Sequence, residues 1–181
     1  MPSAPVSGNW STMIGMTHDM FTPRPADDPT DPSPTNSSPA EPIPAIETFE
    51  LPFGSTEELR QRWRALMGPL GFSESRLWVG IVDGDRMVPG MLPYLVLPTV
   101  PNARLIEMFM SQLVEVTDTV ARVSIALLLT RPGSDGITPR DLGWAGLLVD
   151  TAGRLAVPLH PIHRANDVAL ETMPTPTESA A

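Results

Sequence analysis

Cysteine is absent, so disulfides, thiol nucleophiles and Cys-based zinc sites are excluded from the outset. Lysine is absent too: all 12 basic residues are arginines, which rules out a phosphate-binding loop of the G-x-x-x-x-G-K-[ST] type. Basic charge is scarce beside 21 acidic residues, and the net charge of −9 argues against direct contact with nucleic acid or adhesion to an anionic membrane surface. No apolar run approaches the ~18 residues of a membrane span. The first residues, MPSAPVSGNW, place no basic region ahead of an apolar one, so no secretory leader is expected and a cytoplasmic location is the default. Histidine is limited to three positions, His18, His160 and His163.

Proline, in contrast, is abundant, and ten of the 22 prolines fall within residues 1–47. Ser, Thr, Asp and Glu fill most of the remainder of that stretch, a composition too poor in large apolar side chains to offset its ordering entropy. It is read as a disordered arm, followed by one globular α/β (α+β) domain over 48–170 and a disordered tail over 171–181. One cluster interrupts the arm: Trp10, Met13, Ile14, Met16, Met20 and Phe21. Aromatic and Met side chains of this kind anchor disordered segments in partner grooves, and Trp10, Met13 and Phe21 are the candidate anchors.

The domain reads as a small mixed sheet with an N-terminal β-hairpin and about three helices. Ser55-Thr56-Glu57-Glu58 is a capping box, and Leu59, Trp63, Leu66, Met67 and Leu70 follow at helical spacing up to the Gly68-Pro69 stop. Arg60, Gln61, Arg62 and Arg64 are expected on the solvated face. Leu77 to Val82 is an apolar strand, and Asp83-Gly84 marks a hairpin. Its return arm, through Met87-Val88 and then Tyr94 to Leu97, is broken by Pro89, Gly90 and Pro93, which indicates an edge position. A homodimer that covers this edge is compatible with the sequence. A second helix is expected from Ala103 to about Val116, capped by Asn102.

Val123 to Leu129 is a continuous apolar run, the pattern of a strand buried on both faces. A loop rich in turn formers, Thr130 to Ile137, leads to a third helix. Thr138 stands at its cap, Pro139 in its first turn and Asp141 three residues past the cap. Its expected apolar face comprises Leu142, Ala145, Leu148 and Val149, widened by Trp144 and Leu147. Leu155 to Ile162 is expected to form the last strand, interrupted by Pro158 and Pro161.

Chemistry is hard to place on this frame. No G-x-S-x-G elbow and no G-x-G-x-x-G loop occurs. His160 and His163 are the one candidate metal pair. In an extended segment they project differently, and zinc needs a third ligand such as Asp135 or Asp167. Arg131 and Asp135 are candidates either to pair across the loop or to meet a partner.

The element order from about Arg76 to Asp167, and the stretch Leu129-Thr130-Arg131-Pro132 … Thr138-Pro139-Arg140-Asp141, resemble the JAB/MPN metalloprotease fold in its RadC-like branch. That family's signature is His-x-His-Pro, a Gly/Asp/Pro loop, then Ser-x-x-Asp opening a helix. Here the Pro, the loop (one residue shorter) and the Thr-x-x-Asp start are kept, while Leu129 and Arg131 stand where the family has its metal-binding histidines. The resemblance implies a catalytically dead domain without a cofactor, which binds another protein through Arg131, Asp135, Thr138 and Asp141. It leaves Asp141 as a helix-capping acid instead of a zinc ligand. The alternative is a divergent metal-dependent hydrolase built on His160, His163 and a nearby carboxylate. The branch name alone suggests a role beside DNA, which the charge disfavours.

Overall fold

The computed structural model describes residues 42–90, 92–119 and 122–174. The arm residues 1–41, with Trp10, Met13 and Phe21, and the tail residues 175–181 lie outside the described residues. The chain enters through a short 3-10 helix, Ile46–Glu50, that buries Phe49. Helix α1 (Thr56–Met67) starts as its capping residues require: Ser55 Oγ accepts from Glu58 N at 3.2 Å, and the Glu58 carboxylate accepts from Gly54 N at 2.6 Å. Gly68 ends it with φ of 58°, a conformation glycine adopts without a Cβ clash.

Six strands follow: β1 (Arg76–Asp83), β2 (Arg86–Met87), β3 (Tyr94–Val96), β4 (Val123–Thr130), β5 (His163–Ala165) and β6 (Leu170–Thr172). Their order is β2-β1-β4-β5-β6, with β3 also paired to β1 beyond β2. The expected hairpin is present, and its return arm is broken into β2 and β3 where the prolines fall. β4 and β5 run parallel and the other pairings are antiparallel. No helix among the described residues is long and apolar enough to cross a membrane.

β4 sits at the centre and is buried on both faces, as its unbroken apolar run predicts. Ile125, Leu127 and Leu129 face α2 (Ala103–Thr119) and α3 (Pro139–Arg154), while Ala126 and Leu128 face α1 and the 3-10 segment. Asn102 caps α2, its Oδ1 accepting from Leu105 N at 3.1 Å. Thr138 caps α3 in a complete capping box with Asp141, and Pro139 opens the helix.

Three expectations change. Arg62 and Arg64 are buried, not solvated: Arg62 donates to the carbonyls of Leu51 at 3.1 Å and Pro52 at 2.8 Å in the segment ahead of α1, and Arg64 turns onto the helix end and donates to the Gly68 carbonyl. Leu155 to Ile162 forms no strand beyond one bridge between Leu159 and Ile125, because Pro158 and Pro161 remove the amides a ladder needs. The pairing resumes one step later as β5. The third change lies at the C-terminal boundary, where β6 continues past residue 170 and Met173 is buried.

Candidate functional site

The loop between β4 and α3 is wound around the side chain that begins it. The Arg131 guanidinium donates through Nη2 to the carbonyls of Asp135 at 3.0 Å and Gly136 at 2.9 Å, and through Nη1 to Pro132 at 3.2 Å. Its Nε meets both Asp141 oxygens at 3.1 Å. This ion pair is buried, with Arg131 9% and Asp141 4% exposed. The arginine's carboxylate partner is therefore Asp141 and not Asp135, whose side chain is exposed and which contributes its backbone carbonyl.

Asp141 is fully engaged. Its Oδ2 accepts from Thr138 N and Thr138 Oγ1, both at 2.9 Å, and lies 3.8 Å from Arg164 Nε. Arg164 comes from β5 and is wholly buried; it donates to the Asp135 carbonyl at 3.0 Å and lies 3.5 Å from the Glu171 carboxylate. Asn166 donates to the same carbonyl at 2.7 Å. Two cations and one anion thus share a buried site, in which Arg131 and Asp141 are paired while Arg164 Nε and Nη1 have no hydrogen-bond partner among the described residues. Neither Arg164 nor Asn166 was singled out from the sequence. Both sit in a short polar stretch, HRAN, that carries no apolar signal and is buried nonetheless.

Asp167 is exposed, and its carboxylate clips two loops together, accepting from Phe72 N at 2.8 Å and Gly133 N at 2.7 Å. Those two bonds hold its pKa below the usual carboxylate value.

The histidines sit elsewhere. His163 is fully buried on the α1 side of the sheet, with Nε2 at 3.3 Å from the Thr56 carbonyl, so Nε2 carries the proton and Nδ1 is left without a partner. Burial holds its pKa down at about 4. His160 Nε2 lies 2.9 Å from Ser124 Oγ, its ring edge-on to Phe53, and burial lowers its pKa as well. Pro161 and Ile162 intervene without forming a regular strand, which leaves the two rings with separate partners. Among the described residues, no group of three His, Asp or Glu side chains is placed to hold a metal ion. The carboxylates named as third ligands are elsewhere: Asp167 in its loop clip and Asp135 exposed on the loop. The Ser124–His160 pair was invisible in the sequence, because Ser124 lies 36 positions away inside an apolar run.

Two clefts flank His160. One of about 240 Å3 lies against Phe53, Ser55 and Gly84 at the start of α1. The larger, about 490 Å3, is apolar and runs along α3 between Leu142 and Val149, closed on its far side by Leu159, Ile162 and Met173. Leu142 and Val149, expected in the core, are 36% and 38% exposed here. The core takes Trp144, Ala145, Leu148 and Ala152 instead, so the apolar face of α3 is wider than the sheet covers. The chain matches no protein-family model, no curated protein and no solved structure.

Proposed function

We propose that this chain is a non-catalytic domain of JAB/MPN type, RadC-like in its loop and helix start, that serves as a protein-interaction module. The observation that carries the reading is the buried Arg131–Asp141 pair. In the family that the sequence resembles, the acid opening this helix completes a zinc site. In this chain both Asp141 oxygens are taken up by Arg131 and one also by Thr138, and a guanidinium occupies the second histidine position. Leu129, at the first histidine position, points into the apolar core. A dication beside Arg131 and Arg164 would meet two positive charges and no free ligand. The residues present therefore do not fit zinc, and no hydrolytic step is assigned.

An interaction role is supported by the apolar groove on α3, since unfilled apolar concavities of this size are where partners bind. The test is elemental analysis of purified protein together with a calorimetric zinc titration and a peptide-hydrolysis assay. Zinc-free protein with no binding isotherm is the expected result. One tightly held zinc with hydrolysis would overturn the reading.

A further inference from the structure

The α3 groove has an occupant of matching chemistry within its own chain. We propose that the groove is the docking site of the segment Trp10 to Phe21. This proposal deepens the interaction-module reading and rests on it.

Three observations carry it. First, the groove is built to be filled from outside. Its floor includes Gly146, in the middle of α3, where an added Cβ would meet nothing within 4 Å. Glycine inside a helix is destabilising relative to alanine. At Gly143 the close approach of Pro101 at 3.2 Å accounts for the missing side chain; at Gly146, as at Gly153 near the helix end, no described residue does. Leu142 and Val149, one on each side, lie about 10 Å apart along the helix, at 1.5 Å per residue.

Second, the charges agree. His160 is the one titratable residue lining the groove. In a chain of net charge −9, residues 9–17, NWSTMIGMT, carry no charge, and Asp19 is the one carboxylate between Trp10 and Phe21. The spacing of Trp10, Met13, Ile14 and Phe21 is that of anchors offered to an apolar groove.

Third, the tether is long enough. Residues 22–41 separate Phe21 from the described residues. With its six prolines this stretch spans about 60 Å when extended as polyproline at ~3.1 Å per residue. A domain of this size has a radius of gyration of about 14 Å, so the segment reaches any face. Tethering then raises its effective concentration to roughly the millimolar range, enough for a weak apolar contact to be populated.

The test uses the full chain, whose lack of cysteine allows a single thiol to be placed at will. A Ser7→Cys variant carrying a nitroxide is prepared with 15N label. The expected result is loss of more than half the amide signal at Ala145, Gly146 and Val149, with amides on the α1 face unaffected. Gly146→Glu, which the open space above Gly146 accommodates, is expected to abolish the broadening while leaving the amide dispersion of the core intact. Trp10→Ser is expected to do the same from the other side. Broadening spread evenly, centred on another face or insensitive to both substitutions would overturn the proposal. So would broadening that appears only between copies when nitroxide-labelled and 15N-labelled chains are mixed, which would assign the groove to a second molecule. Zinc content, measured on the same sample, fails the non-catalytic reading separately and leaves the broadening pattern to be judged alone.

Discussion

Replacing Asp141 with alanine separates a structural acid from a catalytic one. In the wild-type chain this carboxylate neutralises Arg131 at 3.1 Å and faces Arg164 at 3.8 Å, and it closes the capping box with Thr138. Its removal leaves two buried guanidiniums without their shared anion. Breaking a buried pair from one side costs about 3–5 kcal/mol. Loss of the cap's reciprocal bonds adds about 1 kcal/mol, although the two effects act through one group and do not add in full. About 4 kcal/mol is a large share of the ~5–15 kcal/mol that holds a domain folded. With a urea slope of about 2 kcal/mol per molar, the unfolding midpoint drops by about 2 M.

Far-UV circular dichroism through a urea titration reads this directly. Asp141→Asn, which keeps an acceptor for Thr138 but not the charge, is expected to lose about half as much. A double-mutant cycle with Arg131→Met should show a coupling above about 1 kcal/mol, because residues in one buried network do not contribute independently. An Asp141→Ala midpoint within about 0.5 kcal/mol of wild type would refute the reasoning, since it would mean that the carboxylate is hydrated and the arginines are satisfied without it.

Three further expectations follow from named groups. His163 has a folded pKa of about 4 against about 6.5 unfolded, so its contribution is complete above pH 6.5 and is lost as the pH falls toward 4, by roughly 3 kcal/mol at most. His160, also lowered by burial, tilts the curve the same way. The share of His163 is therefore read as the difference in urea-midpoint slope between wild type and His163→Phe, and equal slopes would sink the assignment. Ala156→Gly relieves a positive φ of 55° at an exposed site and is expected to raise stability by about 1 kcal/mol, measured by thermal and urea unfolding; a loss would show that the backbone there is not strained. Asp167→Ala removes the acceptor shared by Phe72 and Gly133, and hydrogen exchange at those two amides should quicken while β4 amides keep their protection. Unchanged exchange at both would refute the clip.

Where local chemistry decides the structure, the sequence was legible. Ser55 and Thr138 cap helices because a short side-chain oxygen must satisfy free amides there, and the residues around them leave no competing solution. The broken return arm followed from Pro89 and Pro93, and the central place of β4 from the apolar run Ile125 to Leu129. Segments stabilised from a distance were not legible. Arg62 has the pattern of a solvated helix residue until the Leu51 and Pro52 carbonyls are brought against it, and Arg64 until it turns onto the Gly68 carbonyl at the helix end. β5 is a strand of His, Arg and Ala whose burial depends on β4 beside it, and its Arg164 is held in place by a loop carbonyl 29 positions earlier.

The candidate site shows the same division more sharply. Sequence proximity suggested that Arg131 would pair with Asp135, four residues on, and such a pair in water is worth little. Chain geometry decides otherwise. The Gly133-to-Ile137 turn reverses direction within a few residues and presents its carbonyls inward, toward Arg131. Asp135 itself then points outward while Asp141, ten positions away but fixed by the helix cap, arrives beside the guanidinium. Five donors on a planar fork can satisfy three loop carbonyls and one carboxylate together, which a neutral histidine at position 131 could not. The arginine is therefore a structural part of this loop. It supplies the positive charge and the directed hydrogen bonds that hold this loop in shape, and the loop in turn fixes the start of α3, whose uncovered side forms the groove.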